Sequence, residues 1–238
     1  MPKASAISNM FGEIAPRYDL ANHLLSGGAC RWWTHRLVRE VQSILPAKST
    51  VADLATGSGD VAFALARALP DATVLGFDFC EPMLDVARKH LTDTCAAPFR
   101  SRLHFAYGDC MALPLETDSV DAVTIAYGIR NFQDRQCGLR EMLRVLRPGG
   151  SLFTLEFSQP LAFLRPAYYL YLRHCLPWIA RLATGHKDAY DYLVSSIAQF
   201  PDKEAIAAEL RSAGFVSARA IGLTAGIVAI HHAQKAVS

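Results

Sequence analysis

The stretch Val51-Ala52-Asp53-Leu54-Ala55-Thr56-Gly57-Ser58-Gly59-Asp60-Val61 decides the fold. Val51 to Ala55 forms a short apolar strand carrying one acid, Gly57 and Gly59 flank Ser58 in a turn, and a helix opens behind them. Such glycines let backbone N–H groups approach a ligand and aim a helix N-terminus at it. The segment also fits G-x-G-x-x-G/A through Gly57, Gly59 and Ala62, with Asp78 about 20 residues on, as a dinucleotide site requires. By itself the loop leaves two large enzyme classes open.

Downstream, strands and helices alternate. Thr73 to Phe79 is a second strand bearing Asp78, Glu81 to His90 a helix, and Leu103 to Tyr107 a third strand running into Gly108-Asp109-Cys110. Val120 to Tyr127 is nearly all apolar, as a strand covered on both faces should be. Arg135 to Leu146 places Leu139, Met142, Leu143 and Leu146 at helical spacing, Pro148-Gly149-Gly150 stops it, and Ser151 to Phe157 is a fifth strand. This alternation predicts an α/β fold, a mainly parallel sheet with helices on both faces and ligands at the carboxyl ends of its strands. Pro160 to Gln199 reads as helical, broken near Pro177 and Gly185, and Asp202 to Ala213 as a capped helix. Phe215 to Leu223 and Gly226 to His232 read as a hairpin around Thr224-Ala225.

Composition narrows the classes. The 238 residues are 51% hydrophobic with a net charge of +2, enough for a large core and too near neutrality for a dedicated nucleic-acid binder. The six cysteines (Cys30, Cys80, Cys95, Cys110, Cys137 and Cys175) include no C-x-x-C pair, so no metal site is expected and a cytosolic, reduced protein is. The N-terminal segment lacks the apolar run of a signal peptide. Leu161 to Ala183 is lipophilic but interrupted by Arg165, Arg173 and Arg181, so it is expected to touch a membrane surface at most, at its inner face. A dimer interface or an ordinary core helix would use the same residues.

Three features favour one of the two enzyme classes. Asp53 lies inside the first strand, where a carboxylate is costly unless it organises the loop or a ligand. Asp109 closes the third strand, where an adenine amino group needs an acceptor. The chain ends in a hairpin rather than a second nucleotide-binding half. Together these resemble the class I S-adenosylmethionine-dependent methyltransferases, which implies a seven-stranded sheet with a C-terminal antiparallel hairpin. In that family the glycine turn approaches the methionine moiety, the acid ending strand two binds the ribose hydroxyls, and the acid after strand three caps adenine. The resemblance therefore implies a cofactor site of Asp53, Thr56, Gly57, Ser58, Gly59, Asp78, Phe79, Met83, Asp109, Cys110, Ala126 and Tyr127.

Further segments narrow the match. Phe11-Gly12-Glu13-Ile14-Ala15-Pro16-Arg17-Tyr18-Asp19, Arg31-Trp32-Trp33, Thr124 to Phe132 (TIAYGIRNF), Arg144 to Gly150 (RVLRPGG) and Leu155-Glu156-Phe157-Ser158 are similar to the UbiE/COQ5 family. Tyr192-Leu193, Ser196-Ile197, Phe200-Pro201 and Leu223 to His231 (LTAGIVAIH) extend the resemblance along nearly the whole chain. That family C-methylates the ring in menaquinone and ubiquinone biosynthesis. The resemblance implies a prenylated quinol substrate, most of all demethylmenaquinol, with the 2-methoxy-6-polyprenyl-1,4-benzoquinol step as a second ring. It places Arg130 and Asn131 at the ring oxygens, and Tyr18 and Asp19 in a lid. Residues 1–45 are then a helical cap, residues 46–238 the methyltransferase domain, and residues 160–200 a substrate-side helical insertion. His186, Tyr190 and Tyr192 are candidates for the ring pocket, Asp60 for a hydrogen bond beside the turn. Cys80 and Cys110 stand where the family has Ser and Ala, and are expected to make the site thiol-sensitive.

Overall fold

The computed structural model describes residues 10–13, 15, 18–175 and 187–237, with residues 18, 19, 21, 94, 95, 175 and 187–190 described by backbone alone. In chain order the main elements are α1 (Tyr18–Leu25), α2 (Ala29–Ile44), β1 (Thr50–Leu54), α3 (Asp60–Ala68), β2 (Thr73–Asp78), α4 (Glu81–Thr92), β3 (Leu103–Tyr107) and β4 (Val120–Ala126). They continue with α5 (Arg135–Val145), β5 (Leu146–Phe157), α6 (Arg165–Leu170), α7 (Lys187–Gln199), α8 (Lys203–Ser212), β6 (Ser217–Leu223) and β7 (Val228–Gln234).

The strands form one seven-stranded sheet in the order β3-β2-β1-β4-β5-β7-β6, parallel from β3 to β5 and antiparallel at β5–β7 and β7–β6. Successive strand residues point to opposite faces. Val51 and Ala122 accordingly join a core with Trp33, Leu37 and Val41 of α2 and Leu65 of α3. Ala52 and Val123 join a second core with Leu139 and Met142 of α5 and Leu210 of α8. The sheet is thus covered on both sides, as its near-continuous apolar strands require. Strand order reverses at β1, between β2 and β4, and ligands bind at such a switch point.

Two boundaries depart from the sequence reading. The helix before the fifth strand ends at Val145, and β5 begins at Leu146, taking in Pro148-Gly149-Gly150. The register slips there: Val120 opposes Leu146 while Ala122 opposes Ser151, and this bulge absorbs the proline and the left-handed Gly149 (φ 77°). The final turn spans Thr224–Gly226, with φ of 47°, 54° and 87° in sequence, and β7 starts at Val228. Between Pro160 and Gln199, α6 and α7 are helical, while the expected breaks at Pro177 and Gly185 lie outside the described residues. No described helix is long and apolar enough to cross a membrane.

Candidate active site

The carboxyl ends of β1, β2 and β4 converge on a pair of adjoining cavities. β1 delivers Asp53, which is 1% exposed and accepts hydrogen bonds from Thr56 Oγ1 (2.6 Å) and Thr124 Oγ1 (2.6 Å). Burial raises its carboxyl from 3.8 to about 6, the two hydroxyls pulling the other way. It thereby ties the β1 loop to β4 and still lines the larger cavity. The Thr56 N–H donates to Phe77 O (3.0 Å), drawing the turn onto β2. Gly57 (φ 56°) and Gly59 (φ 92°) have left-handed backbone, and a Cβ on Gly59 would sit 2.9 Å from Phe105.

Asp78, at the tip of β2, accepts from the N–H of Gly57 (2.8 Å) and of Cys80 (2.8 Å). Burial pushes its carboxyl upward against those bonds. The Phe79 N–H also acts on this carboxylate, which has about four lone-pair sites in all and so keeps acceptor capacity for a further donor. The Asp109 carboxylate accepts from Met111 N–H (2.8 Å). Together with Phe79, Cys80, Met83, Cys110 and Asn131 these acids wall the smaller cavity, of about 150 Å³. No Lys, Arg or His appears among its described walls.

The larger cavity, about 1260 Å³, spreads from Asp53 and the glycine turn to α1, α2, α6 and α7. The two cavities share Ala55, Gly57, Ala126 and Tyr127. Ala55 (φ 49°) and Tyr127 (φ 57°) are non-glycine residues in the left-handed region, so the shared wall carries backbone strain. The tight packing explains Gly128, where an added Cβ would come within 2.6 Å of Ala55 Cβ. One turn on, Arg130 is only 6% exposed yet lines the larger cavity. Its Nη1 pairs with Glu156 Oε1 (2.9 Å) and bonds Tyr127 O, and its guanidinium lies 5.3 Å from the Phe157 ring centroid. Asn131 faces the smaller cavity instead, its Oδ1 accepting from Tyr192 OH (2.9 Å).

The expected cofactor residues therefore gather at one end of the sheet, divided between two chambers. Asp78, Phe79, Met83, Asp109 and Cys110 wall the small one, Asp53, Thr56, Ser58 and Asp60 the large one, and Gly57, Ala126 and Tyr127 both. Gly59 lines neither, its role being close packing against Phe105. The Arg130–Asn131 pair, expected at one ring, straddles the seam. The side chains of Tyr18, Asp19 and Tyr190, and all of His186, lie outside the described residues. Thiol sensitivity is not supported: Cys80 and Cys110 are buried, and burial raises the Cys110 thiol, which keeps it protonated. Sequence reasoning missed Phe11, Tyr107 and Met111 in the small cavity, and Tyr168 lines the large one. That reasoning also gave no role to Glu156, which entered only as part of the Leu155-Glu156-Phe157-Ser158 segment.

Residues 2–235 match the model of the ubiE/COQ5 methyltransferase family. The chain is 42% identical over 234 residues to the demethylmenaquinone methyltransferase of Deinococcus radiodurans, covering 98% of this chain and 94% of that one. It is 39% identical over 239 residues to the ubiquinone/menaquinone biosynthesis C-methyltransferase UbiE of Dinoroseobacter shibae, covering 98% and 92%. The fold is shared with a SAM dependent methyltransferase from Aquifex aeolicus, at a TM-score of 0.59 and 16% identity over 83% of this chain and 88% of that one. On a match that runs almost from end to end, the chain belongs to the ubiE/COQ5 methyltransferase family.

Proposed function

We propose that the protein transfers a methyl group from S-adenosylmethionine to a ring carbon of a prenylated hydroquinone, demethylmenaquinol foremost, with the ubiquinol precursor as a second ring. The observation that carries this reading is the seam: a buried guanidinium in a large cavity shares one wall with a small, acid-walled chamber free of cationic side chains among its described residues. The small chamber suits an adenosyl cation. Asp78 would take the ribose hydroxyls, Asp109 the adenine amino group, and Phe79, Met83, Ala126 and Cys110 the base. The turn at Gly57-Ser58 with Thr56 and Asp53 would hold the methionine end. Bound there, S-adenosylmethionine supplies an electrophilic methyl carbon, so no covalent link to the protein is required.

The chain must then make the ring carbon nucleophilic and hold it in line with the methyl, roughly 3–3.5 Å away. Losing the proton of a neighbouring hydroxyl puts negative charge on the ring carbon, whose new bond to the methyl replaces the methyl–sulfur bond. The hydrogen on that carbon then leaves as a proton and the oxygen is reprotonated, so the net products are the methylated quinol, S-adenosylhomocysteine and one proton. The guanidinium of Arg130 is placed to stabilise the ring anion rather than to take the hydroxyl proton, which leaves to water. Tyr127 and Ala126 form the wall through which the two chambers meet. α1 and α2 border the larger chamber through Asn22, Leu25, Ala29, Cys30 and Trp33, and excluding water there would strengthen the attraction of Arg130 for an anionic ring oxygen.

The substrate's tail would enter from a bilayer. Leu20, Leu24, Trp32, Leu161, Phe163 and Leu170 are exposed on α1, α2 and the α6 region, Phe163 by 77%, and Arg165 and Arg173 lie near them in sequence. Sedimentation with anionic and neutral liposomes tests this contact, and absence of binding to both removes it. The reaction is tested by methyl transfer from labelled S-adenosylmethionine to short-chain demethylmenaquinol beside the ubiquinol precursor. Tight binding of NADH with none of S-adenosylhomocysteine would replace the reading with an oxidoreductase.

A further inference from the structure

Glu156 is a buried acid that the scheme above does not use. It sits one residue before the end of β5, 1% exposed, and its carboxylate accepts three hydrogen bonds. Oε1 takes Arg130 Nη1 (2.9 Å) and the N–H of Phe157 (2.9 Å), while Oε2 takes the backbone N–H of Arg130 (3.2 Å). One side chain therefore grips both the peptide and the guanidinium of the same residue. Nη1 is further committed to Tyr127 O, and the Phe157 ring lies beside the guanidinium.

This grip decides which edge of Arg130 is left unpaired. Nε is buried and without a hydrogen-bond partner, and Nη2 has none among the described residues. The Nε–Nη2 edge is a planar fork of donors suited to an anionic oxygen. An unpartnered buried N–H costs about 1–3 kcal/mol, a cost that a bound oxygen would remove. We propose that Glu156 is a positioning residue for methyl transfer, turning the Nη1 side of Arg130 inward so that the Nε–Nη2 edge meets the ionising ring oxygen. The inference rests on the quinol reading above. It also accounts for a buried ion pair beside a reaction centre, where such pairs are weak contributors to stability.

The test is a double-mutant cycle on the full chain with short-chain demethylmenaquinol, using Arg130→Gln, Glu156→Gln and the double variant. Removing both partners leaves no buried unpaired charge, so the double variant is the one best placed to fold. Glutamine at 156 offers one acceptor oxygen to three donors, and a displacement of about 1 Å in such a group costs about 100-fold. Glu156→Gln is expected to lower kcat about 100-fold, with KM for the quinol within about threefold and the dissociation constant of S-adenosylhomocysteine, read by calorimetry, unchanged. Glu156→Asp, keeping charge at shorter reach, is expected to recover part of the rate. The double variant is expected to be no slower than Arg130→Gln alone, because Glu156 acts only through Arg130. Losses that multiply in the double variant, or full turnover in Glu156→Gln, overturn the proposal. Wild-type turnover in Arg130→Gln would also overturn the proposal by removing Arg130 from the mechanism, whereas absence of methyl transfer to the quinol by the unmutated protein would overturn the quinol reading itself, which separates the two failures.

Discussion

The two chambers at the sheet's end are built by opposite means. The small one is made from strand tips and the turns behind them, held by short hydrogen bonds such as Gly57 N–H to Asp78 and Met111 N–H to Asp109. The large one is walled by helices from distant parts of the chain, with one buried cation at its inner end. Backbone-built walls fix a ligand common to many enzymes. Side chains on helices can vary freely, so they are where a particular acceptor is chosen. The two chambers should accordingly respond differently to substitution.

The sharpest contrast is Arg130→Ala, which should lower turnover by about 100- to 1000-fold while leaving S-adenosylhomocysteine affinity in place. Steady-state rates beside calorimetry check it, and equal losses in both would merge the chambers into one functional unit. Asp78→Ala should do the reverse, weakening cofactor affinity by about tenfold or more through lost charge-assisted bonds, with the quinol KM little changed. Asp53→Asn tests the floor of the large chamber. Between pH 4 and 6 the folded state holds the Asp53 proton more tightly than the unfolded chain, so this group's contribution to stability falls as pH climbs through that window and is level above about 6. Melting curves of Asp53→Asn should lose that slope and show a higher Tm at pH 7, while cofactor affinity drops. A melting profile identical to wild type would mean that Asp53 is not held protonated upward of pH 4. The smallest effect is expected at the rim: Trp33→Phe removes the 2.8 Å bond from Nε1 to Thr224 Oγ1 and should cost about 1 kcal/mol in urea unfolding.

The same division governs what could be read from sequence. Asp53, Gly57, Asp78 and Asp109 sit in contiguous strand–turn segments, where local periodicity reveals the element and the acid at its end reveals the site. Arg130 was found through its neighbours in TIAYGIRNF. Its partner Glu156 is 26 residues away on the adjoining strand, and only the β4–β5 pairing brings them together. Phe11, Tyr107 and Met111 reach the small cavity through tertiary packing, for which no local pattern exists. The β5 boundary was misjudged because a proline and two glycines signal a stop, while a bulge can carry a strand across them.

The last strand runs against its neighbours, and this direction has an architectural effect. Because Val228 pairs with Phe157, the Thr224–Gly226 bend emerges at the reactive end of the sheet, where Thr224 both borders the large chamber and anchors the indole of Trp33. Had β7 run parallel, that bend would protrude from the opposite rim and α2 would lose its peg. The reversal thus gives the carboxyl-terminal part of the chain a latch for its amino-terminal cap.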